Sequence, residues 1–302
     1  MKLFNSLIAN TLPYVPKSLV GVVSKRYLAG EYIEDAIATV KMLNSEGAVC
    51  TVDLLGEFVT SESEIQKTID VYKKTMTKIS EENLSSSISL KPTSFGALID
   101  RKECASNIRD MIVFAKEKNI SVTIDMEDHP YTDFTLEIYN QLRKEFPDHI
   151  RTVVQAYLKR TLDDVQKLAV EGKCCLRLCK GIYNEPADIA YKDRNKINEN
   201  YLQILRLMLH KGYYPGIATH DDYLVYKAFK IIEEFSLTKE DYEFQMLLGV
   251  RSELRKEILA KGHPLRIYIP FGERWYEYSL RRLKENPNIA GHIVKGFFTF
   301  GR

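Results

Sequence analysis

The sequence predicts a (β/α)8 barrel of the TIM type over residues 46–302, preceded by a helical arm over residues 1–45. A chain of 302 residues suits one large barrel-type domain and can bury a core without disulfides or metals. Eight short apolar or β-branched runs recur, and a charged stretch of helical period follows each of them. Because parallel strands need a covering crossover each time, this alternation favours a closed barrel.

The arm shows apolar residues at helical spacing, including Ile33, Ile37 and Val40, which indicates an accessory helix or a plug at the barrel bottom. Earlier in the arm, the apolar stretch 7–23 is broken by prolines and Lys17. It is too interrupted to span a membrane and has no convincing signal-peptide cleavage site, so we expect at most a peripheral membrane contact.

The strand candidates share apolar or β-branched composition and lie at 48–55, 87–90, 120–125, 152–157, 174–180, 216–220, 243–248 and 265–270. Capping-box patterns at Ser61-x-x-Glu64 and Thr161-x-x-Asp164 predict the starts of two intervening helices. A doubly wound open sheet is the alternative. It is disfavoured because no strand candidate leads into a G-x-G-x-x-G turn that would hold a dinucleotide.

Composition points to a small-molecule partner in a reducing, cytoplasmic compartment. Forty-three basic and 41 acidic residues leave a formal charge of +2, which is too balanced to predict nucleic-acid binding. The five cysteines are odd in number and mostly embedded in apolar runs, as expected for buried thiols. Cys174, Cys175 and Cys179 lack histidine partners at metal-ligand spacing, so no zinc site is predicted.

Two adjacent arginines, Arg281 and Arg282, lie on the helix predicted after the last strand. Tyr278 precedes them and Glu285 follows them at helical spacing, so the four side chains share one broad stripe. Neighbouring guanidinium groups repel unless an anion lies between them, and their fork geometry suits a carboxylate. The pair indicates a carboxylate substrate, although a solvated basic helix face explains it equally simply.

Each of the eight strand candidates ends with at least one polar side chain, where a barrel enzyme carries its reactive groups. The residues at these ends are Asp53 with Glu57, Lys91, Asp125 with Glu127 and Asp128, Gln155 with Tyr157, Arg177 with Lys180, Thr219 with His220, Gln245 with the apolar Leu247, and Tyr268. A buried unpaired charge costs several kcal/mol. We therefore expect Lys91, Asp125 and Arg177 to meet one another or a ligand.

Simpler explanations remain for several of these positions. Lys91 and Asp125 could only neutralise the barrel mouth. His220 could cap the following helix, and the turn at Lys180-Gly181 is a weak signal for phosphate binding. The acidic run 125–128 could ligate a hard metal if further oxygen ligands converged on it.

Together these segments resemble the flavin-dependent proline dehydrogenases, including the proline-oxidising domain of proline utilization A. The matching strings lie at 54–57, 89–93, 124–128, 155–161, 177–183, 218–221, 244–249 and 268–282. They run in family order from about residue 50 to the end of the chain. So many ordered matches are specific, whereas any one of them alone would be weak.

The resemblance implies a distorted (β/α)8 barrel that binds FAD noncovalently and oxidises L-proline to Δ1-pyrroline-5-carboxylate. Arg281 and Arg282 would clamp the proline carboxylate with help from Lys91, and Asp125 would hold Lys91. The proline ring would lie between Tyr268, Tyr278 and Leu247.

On the cofactor side, the resemblance implies that Arg177 lies near the flavin N5 and that Gln155 bonds the ring system. The remaining cofactor contacts would come from Cys179, Lys180, Gly181, Ile182, Tyr183, Thr219 and His220, with Glu285 beside the cofactor on the last helix. Because hydride leaves the carbon next to the amine nitrogen, positioning and exclusion of water matter more than a strong acid. No general base is assigned.

Three positions depart from the family pattern, namely Ile182, Asn184 and Asp221, where alanine, an aromatic or charged residue, and asparagine are common. These departures bear on cofactor packing. Tyr268 is retained where the family associates a tyrosine with excluding ring hydroxyls, so the resemblance implies proline over hydroxyproline as substrate.

The resemblance also implies a membrane quinone as electron acceptor, with peripheral docking at the inner face of the membrane. No aldehyde dehydrogenase domain fits in 302 residues, so a separate pyrroline-5-carboxylate/glutamate semialdehyde dehydrogenase would take the product. Two other functions are weighed beside this one. They are a Schiff-base aldolase with Lys91 or Lys180 as nucleophile, and a noncatalytic flavin- or carboxylate-binding barrel.

Overall fold

The fold is a closed barrel of eight parallel strands that follow one another in chain order. The structure, a computed structural model, describes residues 17–24, 26–168 and 174–285, with 18, 19, 22, 23 and 281–285 described by their backbone alone. The last strand pairs with the first in parallel, so the sheet has no open edge. The predicted (β/α)8 barrel is confirmed, and the alternative of an open doubly wound sheet is wrong.

All eight predicted strands form. They are β1 (Val49–Leu54), β2 (Ser86–Leu90), β3 (Val122–Ile124), β4 (Ile150–Gln155), β5 (Cys175–Cys179), β6 (Tyr214–Ala218), β7 (Glu243–Leu247) and β8 (Leu265–Phe271). The β6 strand begins before its predicted start because Pro215, which cannot donate a ladder hydrogen bond, still pairs with Leu176 of β5.

Ten α-helices surround or flank the strands within the described residues. They are α1 (Lys17–Ser24), α2 (Ile33–Ser45), α3 (Glu62–Glu81), α4 (Arg101–Glu117), α5 (His129–Leu142), α6 (Thr161–Lys167), α7 (Arg194–His210), α8 (Asp222–Glu234), α9 (Ser252–Ala260) and α10 (Trp275–Glu285). The predicted cap at Ser61 is confirmed, since its side chain accepts from the backbone N–H of Glu64. The predicted cap at Thr161 is wrong. Arg160 occupies the cap position, and the Thr161 hydroxyl donates instead to the carbonyl of Gln155.

Helix α2 belongs to the outer layer of the barrel. It packs against β1 and β8, and Ala36, Val40 and Leu43 have no exposed surface in the shared core. It therefore lies at the side of the barrel between the first and last strands, and not beneath it as a plug. The division between an arm and a barrel at residue 45 stays a prediction.

Helix α10 follows the last strand and lies against α1 at the barrel mouth. A buried hydrogen bond of 2.7 Å joins the Ser24 and Ser279 hydroxyls, and the Tyr27 and Tyr278 rings lie 6.5 Å apart. Since α2 takes the outer position beside β8, α10 can reach over the strand ends. This arrangement is the distortion of the barrel, and it brings Tyr278 into the cavity described below.

Among the described residues, no helix combines the length and the apolar composition needed to cross a membrane. Most of the apolar stretch 7–23, for which a peripheral membrane contact is predicted, precedes the first described residue.

Candidate active site

A cavity of about 520 Å³ opens at the carboxyl ends of the strands. Every predicted site residue whose side chain the structure describes lines it, namely Lys91, Asp125, Gln155, Arg177, Cys179, Lys180, Gly181, Ile182, Tyr183, Thr219, His220, Leu247, Tyr268 and Tyr278. The side chains of Arg281, Arg282 and Glu285, on the last turns of α10, lie outside the described ones. The roles assigned to all these residues stay predictions.

Lys91 follows β2 and binds two carboxylates inside the barrel mouth. Its Nζ lies 2.6 Å from Asp53 Oδ1 and 3.7 Å from Asp125 Oδ2. Asp125 does pair with Lys91, as the resemblance implies, but Asp53 at the end of β1 is the closer partner. Asp53 is 2% exposed, so an ammonium group is the compensation that its buried charge requires.

Asp125 is the centre of the charge cluster. Its Oδ1 accepts from Arg177 Nη1 at 2.5 Å and from the Ser89 hydroxyl at 2.6 Å, while its Oδ2 accepts from the Tyr268 hydroxyl at 2.8 Å. Burial alone would raise the pKa of Asp125, but the charges of Arg177 and Lys91 hold it below its usual value. The prediction that Lys91, Asp125 and Arg177 meet one another is confirmed.

The protonation states of Lys91 and Asp53 follow from burial and from their neighbours. Burial raises the pKa of Asp53 to about 6, and Asp125 adds to the effect against the opposing charge of Lys91. Burial would lower the pKa of Lys91, but the anionic field, chiefly of Asp53, raises it well above its usual value. Lys91 is therefore an ammonium ion. A Schiff base needs a neutral amine, so the aldolase hypothesis loses support at Lys91.

Tyr268, on β8, is a neutral phenol inside the cavity. Burial, reinforced by Asp125, raises the pKa of its hydroxyl well above the usual value. Its ring lies 5.1 Å from the Arg177 guanidinium carbon, which is a cation–π distance. The ring and the hydroxyl of Tyr268 therefore both have fixed partners in the cavity wall.

A second cluster of charges fills the barrel interior below the cavity. Glu243 Oε1 accepts from Arg266 at 2.7 Å, from Arg151 at 3.0 Å and from the Gln245 amide at 2.7 Å. Burial alone would raise the pKa of Glu243, but the two arginines, Arg266 first, lower it to about 2. Because Gln245 also bonds Arg177, the two clusters are continuous.

We expect Glu243→Gln to lower the free energy of unfolding by roughly 3 kcal/mol at pH 7, because the buried Arg266 and the half-buried Arg151 lose their anion. A depressed carboxyl pKa stabilises the fold above the unfolded value and loses that contribution as the pH falls from about 4.5 towards about 2. Urea denaturation at descending pH should therefore give a shallower acid loss for the variant than for the parent. The exposed Glu234→Gln is the control, and an equal effect of both substitutions would contradict the assignment.

In the outer part of the cavity, two cationic side chains pair with the same carboxylate. Asp221 Oδ2 lies 2.5 Å from Lys180 Nζ and 2.8 Å from an Arg194 nitrogen. Burial would raise the pKa of Asp221, but the hydrogen bonds from Lys180 and Arg194 lower it to about 2. Asp221, one of the departures from the family pattern, thus neutralises part of the positive charge of Lys180 and Arg194.

The alternative that His220 caps the next helix is wrong. The side chain of Asp221 caps α8 by accepting from the Tyr223 N–H. His220 instead accepts at Nε2 from the backbone N–H of Leu247, at 2.9 Å. The imidazole therefore joins the ends of β6 and β7 and fixes where Leu247 lies in the cavity wall.

Gly181 lets the chain after β5 pass beside the Tyr157 ring. Its φ is +105°, and a Cβ there would lie 2.0 Å from a Tyr157 ring carbon, so a larger residue would meet both backbone strain and a clash. Next to it, Ile182 is 45% exposed at the rim. Burial raises the pKa of Cys179 to about 11, so this thiol is neutral and unsuited to act as a nucleophile.

The acidic run after β3 does not converge on a metal. The Glu127 carboxylate accepts from the Thr93 N–H at 2.9 Å and from its hydroxyl at 2.5 Å, while Asp125 faces Arg177. Gln155 donates to the Glu127 carbonyl at 2.9 Å. Across the described ranges, no group of three potential ligands could hold a metal ion. The metal hypothesis therefore has no support there.

The cavity suits an elongated cofactor that has a flat ring at one end and an anionic middle. At the inner end, Arg177 Nη2 is buried without a hydrogen-bond partner, which leaves a donor available to an electron-rich ring. At the outer end lie Lys180 and Arg194, whose charges suit phosphate groups. Apolar side chains such as Met126 and Val153 complete the lining. The residues present therefore fit FAD.

Several cavity residues have no role assigned from sequence, among them Asp53, Gln245 and Arg194. Asp53 and Gln245 are named from sequence as strand-end residues, where side chains converge in a barrel, but nothing in the sequence shows what they contact. Arg194 begins α7 after a long loop and carries no such signal. Only the fold brings it to Asp221.

The family model and the similar proteins all indicate the same family. The proline dehydrogenase family model matches residues 36–294. Proline dehydrogenase 1 of Bacillus subtilis (strain 168) is 38% identical over 273 residues, covering 90% of this chain and 90% of its own. Proline dehydrogenase of Deinococcus radiodurans is 35% identical over 277 residues, covering 90% of this chain and 89% of its own.

One solved structure with a similar fold is that of proline utilization A from Bdellovibrio bacteriovorus inactivated by N-propargylglycine. The TM-score is 0.85 at 24% identity, and the match covers 94% of this chain and 36% of that one. The present chain thus corresponds to about a third of the larger protein, and the likeness concerns the fold.

Proposed function

The chain belongs to the proline dehydrogenase family, and on that premise we propose that it oxidises L-proline to Δ1-pyrroline-5-carboxylate with noncovalently bound FAD and a quinone as electron acceptor. The observation that carries the cofactor and substrate assignment is the buried cluster of Lys91, Asp125, Tyr268 and Arg177, in which one Arg177 nitrogen has no partner. A cluster so fully charged and so deeply buried suits a polar ligand held against an electron-accepting ring.

The substrate side of the proposal assigns the carboxylate of proline to Arg281 and Arg282, with Lys91 as a further cation. Asp53 and Asp125 keep Lys91 protonated, so it attracts a carboxylate and does not remove protons. Tyr268, Tyr278 and Leu247 line the cavity and would hold the ring. These contacts fix both ends of a small substrate, which is the main contribution that a protein makes to hydride transfer.

On the cofactor side, Arg177 and Gln155 would contact the ring system. Lys180 and the backbone at Gly181, together with Cys179, Ile182, Tyr183, Thr219 and His220, would hold the remainder, with Glu285 beside it. When bound, FAD accepts a hydride together with its two electrons. The substrate loses hydride from the carbon next to nitrogen while the nitrogen lone pair forms the C=N bond. The amine must therefore be neutral, and the product then sheds the N–H proton.

The visible spectrum under anaerobic conditions tests this function. Purified protein incubated with FAD should show the bands of an oxidised flavin, and L-proline should bleach them. D-proline is the matched control, because a site that fixes the carboxylate and the ring face distinguishes the two hands. If the flavin stayed oxidised with L-proline, the protein would be a noncatalytic flavin-binding protein. If the protein took up no flavin, the proposed function would be wrong.

The Asp221 departure gives a prediction about FAD affinity. Asp221→Asn keeps a good helix cap but frees Lys180 and Arg194 from an ionised carboxylate. We expect the dissociation constant for FAD to fall by roughly threefold to tenfold, as for a partly screened charge pair. Flavin fluorescence quenching measures it, and the affinity gain should shrink in 1 M salt. Weaker binding by the variant would contradict a phosphate role for the two cations.

The proposal also covers the wider reaction. Reduced flavin would be reoxidised by a membrane quinone, with the N-terminal region making a peripheral contact with the membrane, as the interrupted apolar stretch 7–23 suggests. A separate pyrroline-5-carboxylate/glutamate semialdehyde dehydrogenase would consume the product. Reoxidation of proline-reduced protein by a soluble quinone analogue, followed at the flavin bands, tests the acceptor class.

A further inference from the structure

Gln245 connects the lower charge cluster to Arg177 through the two atoms of its amide. Gln245 Oε1 accepts from Arg177 Nε at 2.7 Å, and Gln245 Nε2 donates to Glu243 Oε1 at 2.7 Å. The opposite amide orientation would place the NH2 group against an N–H donor and the carbonyl oxygen against a carboxylate. Glu243, itself held by Arg266 and Arg151, therefore fixes which end of the amide faces Arg177.

Gly216 makes the room in which this amide lies. In the sheet, Gly216 pairs with Arg177 of β5 on one side and with Glu243 of β7 on the other. A Cβ on Gly216 would lie 2.3 Å from Gln245 Nε2 and 2.9 Å from its amide carbon. Its backbone needs no left-handed conformation, so the requirement for glycine at this position is one of space.

Arg177 is thereby restrained at two of its three nitrogens. Nε bonds Gln245 and Nη1 bonds Asp125, while Nη2 is buried without a hydrogen-bond partner. A planar guanidinium fixed at two nitrogens has its third fixed as well. The direction of the unpartnered N–H groups therefore depends on Gln245 as directly as on Asp125.

We propose that Gln245 is a positioning residue that orients the Arg177 guanidinium, with Gly216 providing the space and Glu243 setting the amide orientation. This inference deepens the proposed function and rests on it for the identity of the group that Arg177 faces. A cation held beside a ring that gains electrons favours the reduced ring, so its misplacement slows hydride transfer and makes the reduction potential more negative.

The test compares Gln245→Leu, Gly216→Ala and their combination. With Gln245→Leu, the rate of flavin reduction at saturating proline should fall roughly tenfold or more, while the proline concentration for half-saturation changes less than about twofold, because the ion pairs of Lys91 with Asp53 and Asp125 do not involve Gln245. The potential of the bound flavin, measured by dithionite titration, should become more negative. Gly216→Ala should shift both readouts in the same direction with little loss of stability, since only the end of a flexible side chain must move.

The double variant separates positioning from general disturbance. If Gly216 acts through the Gln245 amide, the combination should be no slower than Gln245→Leu alone, whereas independent effects would multiply. Thr75→Val is the structural control. It removes the hydrogen bond from the buried Thr75 hydroxyl to the Val71 carbonyl within α3 and touches neither Arg177 nor the residues that hold it, so it should leave the rate and the potential unchanged.

The outcomes are distinguishable. Parent protein that is bleached by proline, together with variants that keep its rate and potential, overturns the positioning role and spares the proposed function. Parent protein that binds flavin but is not bleached overturns the proposed function, and the dithionite potentials still decide the role of Gln245. Multiplicative effects of Gly216→Ala and Gln245→Leu overturn the claim that the glycine acts through the amide.

Discussion

Asp125→Ala should destabilise the fold and stop turnover together. The substitution removes the carboxylate that accepts hydrogen bonds from Arg177, Ser89 and Tyr268 and leaves a buried guanidinium without an anion. Removing one partner from a buried ion pair costs about 3–5 kcal/mol. We expect a loss of this size in urea denaturation. We also expect at least a roughly hundredfold fall in the rate of flavin reduction by proline, since Arg177, Tyr268 and Lys91 all lose a restraint.

The matched control is Asp133→Ala on α5. Asp133 also pairs with an arginine, Arg160, but its side chain is 69% exposed, so solvent replaces the lost partner. Its stability and rate should stay close to those of the parent. An Asp125→Ala protein with parental stability would show that Arg177 finds another anion. If that protein oxidised proline at the parental rate, the cluster around Asp125 would not be part of the active site.

The fold could be predicted because its signal repeats along the chain. Each strand is a short apolar or β-branched run, and a polar stretch of helical period follows each one. An error in the bounds of one strand or helix therefore does not change the predicted number of eight strands. The placement of α2 beside β8 and of α10 over the mouth could not be read in this way. Both helices are amphipathic, and only packing decides which surface each one covers.

The sequence predicts which strand ends meet at the site, but it does not predict which side chains pair there. Lys91 follows β2, whose neighbours β1 and β3 end near Asp53 and Asp125. The sequence offers both carboxylates and cannot rank them. The choice depends on Arg177, which reaches across the barrel to Asp125 and leaves Asp53 as the closer partner of Lys91. Which of the two carboxylates pairs with which cation is decided by distances in the folded protein.

Local capping signals were less reliable than the strand pattern. Ser61 caps α3 as predicted, whereas the Thr161 hydroxyl is used by the Gln155 carbonyl, and Asp221 takes the capping role considered for His220. A hydroxyl or carboxylate near a helix start has several backbone groups within reach. Its partner is settled by the turn that precedes the helix, which sequence spacing does not specify.

Arg281→Ala should abolish oxidation of proline while FAD stays bound. Arg281 belongs to α10, which begins beside the cavity with Tyr278 in its lining and is held to α1 by the bond between Ser24 and Ser279. The pair Arg281 and Arg282 is proposed to take the substrate carboxylate, and no described cofactor contact depends on it. A bidentate guanidinium–carboxylate contact combines charge with fixed geometry, so we expect the rate to fall by a factor of about 100 or more.

The decisive measurement compares proline with prolinamide, which keeps the ring and the amine but lacks the carboxylate charge. The parent should reduce its flavin far faster with proline than with prolinamide, and Arg281→Ala should lose most of that preference while its flavin spectrum stays parental. Glu277→Gln, an exposed position on the same helix, is the control and should retain the preference. If Arg281→Ala kept the parental preference and proline affinity, the carboxylate would have to be bound elsewhere. Lys91 would then be the cation to test, because it is the buried ammonium that already lines the cavity.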